Sequence, residues 1–114
     1  MNTLVGRVRR FAAERDWEQF HSPKNLASAL VVEAAELLEH FQWLTEQQSR
    51  ELDPEKLARV KEEIGDILIY LVRLSDELGV DPMEAAEEKL EKNADKYPVD
   101  KVKGKALKYN EYPE

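Results

Sequence analysis

Over residues 26–44, Leu26, Leu30, Leu37, Phe41 and Leu44 recur at the i, i+3/i+4 spacing of one helical face. The same period returns over 57–78, where Leu57, Val60, Ile64, Ile67, Leu71, Leu74 and Leu78 make a second stripe. A shorter stripe near the N-terminus joins Leu4, Val8, Phe11 and Ala12. Three dipeptides punctuate the pattern: Ser22-Pro23, Asp53-Pro54 and Asp81-Pro82. Each puts a side-chain acceptor at an N-cap and a proline at N1, where the missing N–H is no loss and the fixed φ suits a helix. Asp81 is followed three residues on by Glu84, a capping-box-like pattern, and Gly79 stands where a C′ glycine ends the helix before it. With a first helix capped by Asn2 or Thr3, the chain reads as four helices over 3–15, 23–47, 54–78 and 82–96. Pro98 closes the last of them, and residues 98–114 read as a tail that docks on the body or on a partner. The expected class is all-α, a four-helix bundle-like fold in a single domain over 1–114.

Composition favours helices further: 36% of residues are charged and only four are glycine. A chain of 114 residues buries about 65% of its unfolded surface when it folds alone, a modest core that association of copies would enlarge. The net charge of −7 repels phosphate backbones and anionic lipid, so neither polymeric nucleic acid nor a membrane is an expected partner. With no cysteine, there is no disulfide framework, thiolate nucleophile or Cys-ligated zinc. The N-terminal stretch is interrupted by Arg7, Arg9 and Arg10, unlike a signal peptide, and the apolar-rich run from Ile64 to Leu74 is too short to span a bilayer. A cytoplasmic location is expected.

Four acids break the apolar stripes. Glu33 lies at the centre of the second helix's stripe and Glu36 on its flank; Glu63 and Asp66, again three apart, border the stripe of the third. From Ile64 to Leu74 that helix is apolar nearly all round, which makes Asp66 the only acid in a segment expected to be largely buried. Burying ionised carboxylates without partners costs several kcal/mol, so the set needs compensation. Pairing with lysine or arginine, or exposure to solvent on a helix turned from the expected phase, is one explanation, but no basic residue other than histidine lies between Lys24 and Arg50, leaving the second helix only His40, at i+4 from Glu36. Protonation of the acids is another. The third is a divalent ion: E-x-x-E facing E-x-x-D from two antiparallel helices forms an all-oxygen set that suits Mg²⁺ or Mn²⁺. A di-iron bundle would want Glu-x-x-His pairs, and neither His21 nor His40 stands so. Open carboxylate sites for Mg²⁺ complete their shell with water and substrate phosphate, which points to phosphate chemistry.

At these residues the chain resembles the MazG-type all-α nucleoside triphosphate pyrophosphohydrolases, whose signature is E-x-x-E, a spacer, then E-x-x-D. Here it reads Glu33-x-x-Glu36, twenty-six residues, Glu63-x-x-Asp66. The stretches FHSPKNLASALVVEAAELLEHFQW, EEIGDILIYLVRLSDELGVD and KLEKNADKYPV are similar, in order and spacing, to three blocks of the short dCTP pyrophosphatase branch. They cover most of the chain between Phe20 and Val99; the first helix and the stretch after Val99 lie outside the resemblance.

The resemblance implies a helical bundle that assembles as a dimer or tetramer, binds Mg²⁺ (or Mn²⁺) and cleaves a nucleoside triphosphate between the α and β phosphates. By that resemblance Glu33, Glu36, Glu63 and Asp66 are metal ligands. His21, Asn25, Trp43 and Tyr70 match positions enclosing the nucleoside, and Lys89, Asn93, Lys96 and Tyr97 match the block that holds phosphate and sugar. The residues are chemically suited to these roles. Lys89, Asn93 and Lys96 fall at i, i+4 and i+7 on one helical face, offering cations and an amide to a polyanion, although a solvated basic face has the same spacing. Trp43 and Tyr70 can stack on a base, or serve as core or interface. His21, just before the Ser22 cap, equally suits a packing role. For the water-activating base, Glu36 and Glu63 are the candidates, and sequence does not choose between them. The expected substrate is dCTP or a modified dCTP, in nucleotide pool cleansing. The alternatives are dUTP or phosphoribosyl-ATP on the same scaffold, or a non-catalytic helical assembly module whose acids pair with another subunit.

Overall fold

The computed structural model describes residues 2–104. Within them the chain forms α1 (Asn2–Glu14), a 3-10 turn (Glu18–Phe20), α2 (Pro23–Glu39), α3 (Glu46–Arg50), α4 (Pro54–Glu77), α5 (Pro82–Lys96) and α6 (Val99–Val102). No strand occurs among the described residues, in agreement with the all-α expectation. None of the helices is long and apolar enough to cross a membrane. The chain divides into two compact units: α1 to α4 belong to the first, which ends at Val80, and α5 and α6 to the second, which begins at Asp81.

The three Xaa-Pro starts form as their chemistry dictates. Ser22 Oγ accepts from the Asn25 N–H at 3.2 Å, Asp53 Oδ1 from Lys56 N–H at 2.8 Å, and Asp81 Oδ1 from Met83 and Glu84 N–H at 2.9 and 3.3 Å. Gly79, at φ +67°, ends α4: its N–H reaches the Asp76 carbonyl and the Val80 N–H reaches that of Ser75, which is a Schellman closure. The end of α1 repeats this closure on Asp16, whose φ of 55° is left-handed, with Trp17 N–H donating to the Ala12 carbonyl at 2.9 Å. Helix α1 begins at Asn2, so Asn2 and Thr3 lie within its first turn and not ahead of it.

Three expectations are corrected. The second helix does not run to residue 47. It stops at Glu39, and after a turn Thr45 caps α3, accepting from Gln48 N–H at 3.1 Å while Gln48 Oε1 accepts from Thr45 N–H at 2.9 Å. This reciprocal capping box needs Thr45 in an extended conformation (φ −72°, ψ 166°), which a continuous helix cannot supply. Second, residues 99–102 form a helical turn, because Pro98 presents its carbonyl to the N–H groups of Lys101 and Val102. A single turn needs no apolar stripe. The rest of the expected tail, residues 105–114, lies outside the described residues.

The third correction concerns burial. Leu26 is buried on α2, but on α4 the interior positions are Val60, Val72, Arg73 and Ser75. Ile64, Leu68, Ile69 and Leu71 are exposed, as is Asp66, so the segment expected to be largely buried is not. Helix α4 packs against α2 and α1; two neighbours cannot cover a helix that is apolar nearly all round.

Polar contacts set how these helices sit. Lys56, near the start of α4, donates to the His40 carbonyl at the end of α2 (3.0 Å), and Arg73, near the end of α4, donates to His21 just before α2 (3.3 Å). The two helices therefore run antiparallel. Arg9 clamps α1 to α4 through a two-pronged bond to Asp76 at 2.6 and 2.9 Å.

Candidate active site

The antiparallel packing of α2 on α4 brings Glu33 and Glu36 to Glu63. A ligand atom from each of the three carboxylates lies within 4.8 Å of the others. Each is half-buried, placed by its helix at the border of the α2–α4 seam. Glu33 Oε2 and Glu63 Oε2 are buried and have no hydrogen-bond partner among the described residues. Burial holds the Glu33 carboxyl up to about 7, helped by its contacts with the carboxyls of Glu36 and Glu63 and by the charges of Glu36 and Asp66. Asp66, one turn along α4, is outside the close group of three and more exposed, yet near enough for its charge to act on Glu33. His40 Nε2 lies 3.8 Å from Glu63 Oε1, so this histidine faces the acid of the opposite helix.

Two orphaned buried oxygens in a close group of acids form an unstable arrangement on their own. Oxygen-only donors, more than one carboxylate and a partly open border fit a hard divalent ion. The residues present can hold a metal ion.

The other expected site residues are placed as follows. His21 is half-buried; its Nδ1 accepts from Arg73, and its ring meets Trp17 edge-on at 6.4 Å between centroids. Asn25 donates its side-chain amide to the Phe20 carbonyl at 3.1 Å, strapping the turn that carries His21. Trp43 stands in the turn after α2 with 86% of its surface exposed, and Tyr70 is half-buried on α4. Lys89, Asn93 and Lys96 follow one another along α5, with Tyr97 as its C-cap donating its N–H to the Asn93 carbonyl. Asn93 and Tyr97 are half-buried, Lys89 and Lys96 exposed. These four belong to the second unit.

One residue of the His21 environment escapes a sequence reading. Arg73 is only 4% exposed and binds His21, Asp76 and Glu77 at once. Its signal is an arginine inside the apolar run YLVRL with acids at i+3 and i+4.

The comparisons with known proteins agree with the fold and the signature. The MazG-like family model matches residues 29–112. Mouse and human dCTP pyrophosphatase 1 are 48% and 45% identical over 105 residues, which is 90% of this chain and 62% of each of those proteins. The chain thus spans less than two thirds of the length of these curated relatives. The crystal structure of a pyrophosphatase from Archaeoglobus fulgidus superposes with a TM-score of 0.82 at 43% identity, covering 86% of this chain and 92% of that one. With the E-x-x-E and E-x-x-D pairs on facing helices and a family match over most of its length, the chain belongs to the MazG-like family.

Proposed function

We propose that this protein is a divalent-metal-dependent nucleoside triphosphate pyrophosphohydrolase, with dCTP or a modified dCTP as substrate and the monophosphate and pyrophosphate as products. The observation that carries this reading is the close group of Glu33, Glu36 and Glu63 with buried oxygens left unpartnered. The relatives' names and the pyrophosphatase structure support it.

Glu33, Glu36, Glu63 and Asp66 are the residues that would hold Mg²⁺ or Mn²⁺. When bound, such an ion supplies charge neutralisation for phosphate oxygens and acidity to coordinated water. The chain's own groups do the rest. Water adds in line to the α-phosphorus as the bond to the β-phosphate oxygen breaks, and its proton passes to a carboxylate, Glu36 or Glu63. His40, whose Nε2 lies 3.8 Å from Glu63 Oε1, is placed to orient that acid. His21, Asn25, Trp43 and Tyr70 enclose the nucleoside, and Lys89, Asn93, Lys96 and Tyr97 hold phosphate and sugar. In this reading residues 1–114 act as one functional domain, and copies assemble as a dimer or tetramer through the apolar positions of α4 that two neighbours leave exposed. The activity serves to remove unwanted nucleotides from the cytoplasmic pool.

The test is product analysis over a panel of dNTPs and NTPs, including 5-modified cytidine nucleotides, with Mg²⁺ and with Glu63→Gln alongside. The wild type is expected to release monophosphate and pyrophosphate, and to rank cytidine deoxynucleotides first. Cleavage of no triphosphate with any divalent ion, or normal turnover by Glu63→Gln, overturns the assignment.

A further inference from the structure

Arg73 sits near the end of α4 with 4% of its surface exposed, and each of its three guanidinium nitrogens has a partner. Nη2 reaches Glu77 Oε1 at 2.7 Å, Nη1 reaches Asp76 Oδ2 at 3.4 Å, and Nε donates to His21 Nδ1 at 3.3 Å. Asp76 is itself gripped from α1 by Arg9. The two carboxylates already balance the buried arginine, so the bond to His21 is not needed to neutralise it. Its effect falls on the imidazole instead.

A guanidinium N–H can only donate, so Nδ1 of His21 must keep its lone pair toward Arg73. The single ring proton of the neutral imidazole then sits on Nε2. Nε2 has no hydrogen-bond partner among the described residues. A second proton on Nδ1 would point at the Arg73 N–H. The charges around the ring act in the same sense on balance: burial and Arg73 lower the His21 pKa, against smaller opposing contributions from Glu77 on α4 and Glu18 on the preceding 3-10 turn. Beyond these, Asp76 and Arg9 occupy each other. The backbone is held as well, since the His21 N–H donates to the Glu18 carbonyl, Asn25 straps Phe20, and Ser22 caps α2.

We propose that Arg73 is a positioning residue that locks His21 in its Nε2–H tautomer, so that the imidazole meets the nucleoside only as a hydrogen-bond donor. The ligand group it selects is an acceptor: a ring nitrogen, a base carbonyl or a sugar oxygen. This inference rests on the reading that His21 lines the nucleoside site.

Two measurements test it. Long-range proton–nitrogen NMR of the wild type reads the tautomer directly and needs no variant; Nε2 protonated and Nδ1 bare is the expected pattern, and an Nδ1–H tautomer overturns the proposal. Kinetics with dCTP then compare Arg73→Met, His21→Ala and the double variant. Arg73→Met is expected to raise KM about three- to tenfold with kcat within about twofold, as its imidazole loses orientation and mixes tautomers. The double variant should be no worse than His21→Ala alone. If His21→Ala raises KM and Arg73→Met changes neither tautomer nor KM, the positioning role fails while the nucleoside reading survives. If His21→Ala leaves KM unchanged, the nucleoside reading of His21 fails, and the role of Arg73 toward the ligand fails with it.

Discussion

Helices α2 and α4 enclose charge at two places, and the two are balanced in opposite ways. Toward one end, Arg73 meets Asp76, Glu77 and His21, and Arg9 closes the cluster from α1. Near their middle, Glu33, Glu36 and Glu63 crowd together with two buried oxygens unpartnered and Glu33 driven up to about 7. Both groups are polar clusters at a helix seam, but only the first is complete in itself. A satisfied network rigidifies a fold, whereas a half-satisfied one is unfavourable unless something else completes it. The contrast separates residues that hold α2 and α4 together from residues whose buried oxygens are left without a partner.

The acid group is where a single substitution has the largest effect. Glu63→Gln is expected to cut turnover by about 10²–10⁴-fold while the far-ultraviolet circular dichroism and the melting temperature stay near wild type or rise. A variant that unfolds instead would make the acid group structural. Conversely, Arg73→Met strips the closed cluster of its buried cation and of the bonds to Glu77, Asp76 and His21, and is expected to destabilise by about 1–3 kcal/mol in urea unfolding. Arg9→Ala, removing a side chain that is mostly exposed, should cost less and lose its effect in high salt.

The pH dependence sharpens the same contrast. Unfolded Glu33 releases its proton near 4.5, folded Glu33 near 7. Between those values the unfolded chain binds fewer protons, so stability without metal should fall as pH rises from 4.5 through 7. Added Mg²⁺ should restore it, and Glu33→Gln should remove the slope. Asp76 has the opposite sign: the bond from Arg9 holds it below its usual 3.8, so its contribution is present above that value and is lost as pH falls further. A melting-temperature series across pH, with and without Mg²⁺, reads both. The smallest effect lies outside both clusters: Thr45→Ala should cost about 1 kcal/mol by removing the cap of α3.

Much of this molecule is written locally. Ser22-Pro23, Asp53-Pro54 and Asp81-Pro82 begin helices because their caps and prolines act within three residues, and Gly79 ends one for the same reason. The E-x-x-E and E-x-x-D pairs were legible because three-residue spacing puts both acids on one helical face whatever the helix packs against. The break at 40–45 was also encoded, in Thr45 and Gln48, but the apolar stripe through Phe41 and Leu44 runs across it and hides it.

What sequence alone determined, then, is the helical class, most helix ends and the three-residue spacing that puts the acids of each pair on one helical face. Tertiary structure decided which of those acids draw closest, that Glu63 faces His40, that Asp66 stands apart, and which side of α4 is interior. It also decided that Arg73 is buried against a histidine 52 residues away. Periodicity reports a face, and only packing of one helix against another says what that face meets.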